Sequence, residues 1–177
     1  DVYRATGDKD WLSRMLPDVV QEFNYWTTKP HTTPVGLYRF ADDAKPQGEP
    51  AHKPCWIRTV RFDEIENYNP VDLNALLYRN ALLIYDLQLE ADGQGDKSLI
   101  QKSEHIKKMF NVFWDEEKQF YFDNNFADKQ LGTVKSLAGY MPLFVKMLEQ
   151  DRAEAIQTHI KDFMAPGGVT VTDKAYD

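Results

Sequence analysis

Apolar residues recur at three- and four-residue steps from Leu12 to Trp26, and this spacing predicts an amphipathic helix over residues 8–28. Leu12, Met15, Leu16, Val19, Val20, Phe23 and Trp26 share one face, with Asp18, Gln21 and Glu22 turned outward. Asp8 stands where a short carboxylate accepts from the free amides of the first turn. Pro17 lacks the amide hydrogen and predicts either a kink or the start of a second helix.

The period then disappears. Residues 29–69 hold Pro30, Pro34, Pro46, Pro50 and Pro54, with Gly36 and Gly48 adding turns. A long irregular stretch inside a compact domain is often functional. Leu37-Tyr-Arg-Phe40, Trp56-Ile57 and Phe62 are too apolar for a plain linker and require something to pack against. A helix is predicted again over 70–90, with Pro70 at its first position. Its apolar residues surround the first four turns, which marks a buried, inner helix.

Asp92-Gly-Gln-Gly95 breaks that helix, and Asp96 caps the next, over 97–113. Trp114 to Asp123 reads as a short hairpin turning at Asp115-Glu-Glu-Lys118, with Phe120-Tyr-Phe122 as a strand. Residues 124–134 read as loop, followed by helices over 136–149 and 151–164 and a stop at Ala165-Pro-Gly-Gly168. Short connections make consecutive helices antiparallel neighbours. The expected fold is all-α, an array of antiparallel helix pairs with one short β-hairpin.

Composition adds limits. At 177 residues the chain has the length of one domain, and aromatic residues reach 13%. Such rings serve a core, and they also stack on the apolar faces of sugars. The net charge of −7 argues against nucleic acid or an anionic membrane as partner, since both need clustered Lys and Arg. Cys55 is the single cysteine, so no intrachain disulfide forms. No apolar run approaches the roughly 20 residues of a membrane span. The chain opens on Asp1 without an initiating Met and in mid-pattern, which reads as a processed chain or an excised piece, and localisation stays open. Nothing indicates a metal or organic cofactor. His52 and Cys55 have a ligand-like spacing without further ligands, and no phosphate-binding glycine loop follows a strand.

Asp72 and Asn74 are the polar residues in the first turns of an otherwise apolar helix. Asp72 complements the helix dipole there and Asn74 bonds locally, or both face a ligand pocket. The string Pro70-Val-Asp-Leu-Asn-Ala-Leu-Leu-Tyr78 resembles the Pro-Val-Asp-Leu-Asn motif of the trehalase family of glycoside hydrolases. Further strings agree in the same order: Glu22-Phe-Asn-Tyr-Trp26, Gly36-Leu-Tyr-Arg-Phe40, Pro46-Gln-Gly-Glu49, Ile57-Arg-Thr59, the hairpin from Phe113 to Asp123, Ser136-Leu-Ala-Gly-Tyr-Met-Pro-Leu143, and Pro166-Gly-Gly168.

The resemblance implies an (α/α)6 toroid of twelve helices, of which five or six are read here. Residues 1–177 are therefore expected to be one segment of such a catalytic domain, incomplete at both ends. It implies inverting hydrolysis of α,α-trehalose to glucose by two carboxyl groups, roughly 6.5–9.5 Å apart to admit a water. That chemistry needs no cofactor. The sugar-facing residues implied are Arg39, Glu49, Arg58, Asp72 and Asn74.

The sequence departs from the family where the chemistry resides. The Glu-Ser-Gly-Trp-Asp-Phe string with the general acid is absent, and Ala51-His-Lys-Pro-Cys55 fills the interval. The chain stops at Asp177, before the position of the base. The catalytic carboxylates are thus unknown, and the isolated chain is expected to be inactive. Asp63, Glu64 and Glu66 form an acidic cluster that reads better as a solvated loop. Two alternatives stand beside trehalose cleavage. One is another (α/α)6 α-glucosidase, such as a glucosylglycerate hydrolase. The other is a helical scaffold or sugar-binding protein without the acid. Exposed inner helices predict self-association of the isolated chain.

Overall fold

The computed structural model describes residues 2–41 and 67–173. A single-turn helix α1 (Val2–Thr6) precedes α2 (Lys9–Thr27). Asp8 caps α2 as expected, its carboxylate accepting from Trp11 N–H at 2.9 Å. The helix runs on through Pro17 rather than restarting. Pro17 is on the exposed face, where water can take up the carbonyl freed by its missing N–H.

The inner helix is α3 (Val71–Asp92), and Pro70 sits one position earlier than expected, at the cap. Val71, Leu73, Asn74, Ala75, Leu77, Ala81 and Ile84 are its buried members. Gly93 ends it in the left-handed region at φ 71°, its N–H bonded to Leu89 O. After two more residues Asp96 caps α4 (Lys97–Met109), accepting from Ser98 N–H. The short connection makes α3 and α4 antiparallel. Helix α2 is also antiparallel to α3: Tyr3, just before α2, reaches Glu90 near the end of α3 at 3.4 Å, while Tyr38, beyond the end of α2, bonds Asn74 near its start. Leu12, Leu37, Ile84 and Ile106 lie at 2% exposure or less in the shared core. Each such side chain contributes about 1.5–3 kcal/mol by leaving water.

The hairpin is present as β2 (Trp114–Asp115) paired with β3 (Phe120–Tyr121). Asp115 makes the turn, accepting from the amides of Glu117 and Lys118. Two ribbons were not visible in the sequence. Strand β1 (Tyr68–Asn69) pairs antiparallel with β4 (Asn124–Asn125), and β5 (Met164–Ala165) pairs with β6 (Gly168–Val169). Two-residue strands have no hydrophobic alternation to read.

The two helices expected over 136–149 and 151–164 are shorter. The first is a 3₁₀ turn, Leu137–Tyr140, followed by α5 (Met141–Phe144). It ends where Lys146 takes φ 59°. The second is α6 (Gln150–Gln157), then a 3₁₀ turn over Ile160–Phe163 that leads into β5. An aromatic cluster of Phe120, Tyr140 and Phe163 supports this half, with Phe120 edge-on to Tyr140 at 5.3 Å. No helix among the described residues is long and apolar enough to cross a membrane.

Candidate sugar-binding site

The signature string forms the start of α3, and three other parts of the chain converge on it. Proline offers no side-chain cap, and the cap comes from far away: Asp123, at the end of the hairpin, accepts from Val71 N–H at 2.9 Å. Asp123 is 3% exposed, so the helix start and the hairpin are tied inside the core. Asp72 Oδ1 accepts from Leu73 N–H at 2.8 Å. This is the dipole-complementing arrangement, and it leaves Asp72 half-buried at the junction of two clefts.

The first cleft lies between α2 and α3, about 650 Å³ in volume. At the Asp72 end its wall is aromatic, made by Trp26 and Phe40. The rings meet edge to face, 5.6 Å apart at 86°. Glu22 accepts from the Trp26 indole N–H at 2.7 Å, which sets the ring's orientation. Asp18, Glu22 and Asp72 are the charged lining residues, all acidic, and Asn80 adds an amide. The rest of the lining is mainly apolar, with Val19, Phe23, Leu83, Ile84 and Leu87 among its residues. The second cleft, about 310 Å³, is lined by Asp72 and Leu76 on one side and by Ser136, Ala138, Met141 and Val171 on the other.

The loop that follows α2 is held by its own hydrogen bonds. Thr33 N–H and Oγ1 both donate to Leu37 O, and Arg39 N–H donates to His31 O. His31 Nδ1 lies 3.1 Å from Arg39 O. A carbonyl can only accept, so Nδ1 carries the hydrogen of this bond. The other ring nitrogen, Nε2, is buried and has no partner among the described residues, with the ring packed between Tyr25 and Trp26 at 4.6 and 4.8 Å. Asn69, ahead of Pro70, is wholly buried with both amide atoms unpartnered. Neither residue is marked by a local sequence signal.

Of the five residues implied to face sugar, Glu49 and Arg58 lie outside the described residues, as do Asp63, Glu64 and Glu66. Asp72 lines both clefts. Arg39 lines neither; its Nε donates to Pro30 O at 3.1 Å and its guanidinium lies over the Phe126 ring at 5.8 Å, on the side of the β1–β4 ribbon. Asn74 lines neither cleft. Its side chain is fully buried. Its Oδ1 accepts from Tyr38 N–H at 2.9 Å, and Nδ2 donates to Tyr38 O and Pro70 O at 2.9 and 2.8 Å. Those three bonds use both donors and one lone pair, and the amide is closed off from solvent.

Behind the second cleft, Lys135 Nζ lies 2.6 Å from both Asp162 Oδ2 and His159 Nδ1, and 5.1 Å over the Phe120 ring. The hydrogen bond from Lys135 holds the Asp162 carboxyl below its usual range. The neighbouring Tyr140 hydroxyl is buried without a partner, and desolvation pushes its pKa up to about 12. No group of three or more His, Cys, Asp or Glu is placed to hold a metal ion among the described residues.

Comparisons with known proteins agree with this architecture. A periplasmic trehalase of Citrobacter koseri is 28% identical over 125 residues, covering 67% of this chain and 21% of the relative. An uncharacterized protein of Borreliella burgdorferi is 26% identical over 168 residues, covering 91% of this chain and 31% of the relative. The chain thus spans between a fifth and a third of the length of these relatives. Among solved structures, the neutral trehalase of Saccharomyces cerevisiae superposes with a TM-score of 0.75 at 16% identity, covering 94% of this chain and 42% of that one. A mannosylglycerate hydrolase of Thermus thermophilus, solved with glucose, superposes with a TM-score of 0.52 at 22% identity, covering 61% and 27%. At these identities the superpositions establish the fold, a partial (α/α)6 toroid. The model of the mannosylglycerate hydrolase MGH1-like glycoside hydrolase domain matches residues 1–177, and the chain belongs to that family.

Proposed function

We propose that this segment supplies a sugar-binding wall of an inverting α-glycosidase, and that the sugar is a neutral disaccharide of the α,α-trehalose type. The observation that carries this reading is the cleft end formed by Trp26, Phe40 and Asp72. An aromatic pair offers an apolar face to a pyranose ring, and adjacent carboxylates accept from its hydroxyls. Among the described residues the charged lining of the cleft is acidic, which suits a neutral glycoside. A glycosylglycerate is the second reading. It is favoured by the family match along all 177 residues, and Arg39 is the cation nearest in sequence to the aromatic wall.

The chain carries no matched general acid or base, so it binds sugar without turning it over. Titration of the 177-residue chain with α,α-trehalose, followed by tryptophan fluorescence, is expected to show saturable binding. Asp72→Asn weakens it by about tenfold, the loss of one charge-assisted hydrogen bond. Glucose release should remain at background. Turnover by this chain alone would overturn the assignment of the catalytic carboxylates to other segments. Saturable binding of glucosylglycerate with none of trehalose would establish the second reading, and binding of neither would end the sugar-wall proposal.

A further inference from the structure

The amide of Asn74 joins two segments 36 residues apart in sequence, and its geometry is unlike that of a helix side chain bonding locally. It receives the N–H of Tyr38 and returns a hydrogen to the C=O of the same residue, as a neighbouring strand would, while its second hydrogen goes to Pro70 O. All three distances fall between 2.8 and 2.9 Å at zero exposure. Tyr38 is the middle of the loop whose next residues are Arg39 and Phe40. Because successive residues of an extended segment project to opposite sides, fixing Tyr38 fixes both. Phe40 goes into the aromatic wall of the α2–α3 cleft, and Arg39 goes to the opposite side, over Phe126. The same helix turn carries Asp72 into the cleft.

From this we infer that Asn74 is a positioning residue of the sugar site, which touches no substrate and sets the aromatic wall of Phe40 and Trp26 against Asp72. Among the described residues, the bonds between His31 and Arg39 and between Thr33 and Leu37 stay within residues 31–39, while His31 N–H and Arg39 Nε reach back to Thr28 O and Pro30 O. They shape the loop without attaching it to α3. Asn74 makes that attachment, and asparagine is suited to it because one side chain offers both an acceptor and two donors in a plane. Aspartate has the same shape with acceptors alone. In its ionised form it would face the carbonyls of Tyr38 and Pro70 with negative charge, whereas its protonated form regains one donor.

The inference rests on the sugar-wall reading, and its test is arranged so that the two can fail separately. Amide hydrogen exchange is measured on the 177-residue chain for wild type, Asn74→Ala and Asn74→Asp, beside fluorescence titration with α,α-trehalose. In Asn74→Ala the amides of Tyr38 and Arg39 are expected to exchange about tenfold faster, with those of Ile84 and Ile106 unchanged, and trehalose binding weakens about tenfold. In Asn74→Asp, protection at Tyr38 and Arg39 is low at neutral pH and returns on acidification, together with binding, a profile that wild type lacks. Should Asn74→Ala fail to fold, the Asp variant followed from acid supplies the comparison within one protein. Unchanged protection at Tyr38 and Arg39, loosening that extends equally to α3 and α4, or a flat pH profile for Asn74→Asp would each overturn the inference. Absence of trehalose binding by wild type would instead end the sugar-wall reading, leaving exchange and its pH dependence to decide the role of Asn74.

Discussion

At the residue scale, the site is held by single polar groups reaching across long sequence separations. Asp123 replaces the cap that Pro70 cannot provide. Asp123→Ala should lower stability by about 1–2 kcal/mol, the usual cost of losing a cap, measured by urea unfolding. Asp123→Asn retains an acceptor for Val71 N–H and should cost clearly less; equal losses in the two variants would count against capping. Asp162 gives a dependence on pH. Its carboxyl is held below the ordinary range by Lys135, so the folded state binds that proton less readily than the unfolded state. The contribution is therefore present above the carboxylate range and disappears as pH falls through it. The Tm of wild type should exceed that of Asp162→Asn by about one to three degrees at neutral pH, a small effect because the pair is partly exposed. The gap should close once pH has fallen below the carboxylate range, and a gap that persisted there would show that the ion pair is not its source.

At the element scale, the chain uses short pieces where packing is tight. The 3₁₀ turn Leu137–Tyr140 presses Gly139 against β3: a Cβ there would stand 2.3 Å from the Phe120 ring and 2.6 Å from Tyr121 O. The carbonyl is backbone and cannot rotate away. Gly139→Ala should therefore destabilise by about 1–3 kcal/mol through overpacking, and thermal unfolding with an unchanged midpoint would contradict the close approach. This contact also explains why residues 136–149 are not one long helix. The sequence there has helical spacing, yet the turn follows the surface of the aromatic cluster, and Lys146 at φ 59° closes it early.

At the scale of the whole molecule, α2 and α3 present an open apolar groove. Met15, Val19 and Leu76 are each about 40% exposed, and Leu83 and Leu87 continue the groove beyond the polar end. In a closed toroid such surface meets other helices, and in the isolated chain it meets water or another copy. We expect light scattering to show concentration-dependent association of the 177-residue chain, and Val19→Lys to shift it toward monomer. A monomer at all concentrations would show that the groove is satisfied within the chain.

The sequence by itself determined the helical class, α2, α3 and α4 with their caps at Asp8 and Asp96, the hairpin turn at Asp115, and the family. Each of these is written in local spacing or in a contiguous string, because a helix period, a cap and a tight turn depend on residues within a few positions of one another. It also singled out Asp72 and Asn74, but it assigned them the same role. Only the tertiary structure separated them, opening Asp72 to both clefts and closing the amide of Asn74 onto Tyr38. The Asp123 cap, the β1–β4 ribbon and the buried Nε2 of His31 were equally out of reach of the sequence. Their partners are fixed by how distant segments pack, and a side chain's choice between ligand and backbone is made by whichever donor the fold brings within 3 Å.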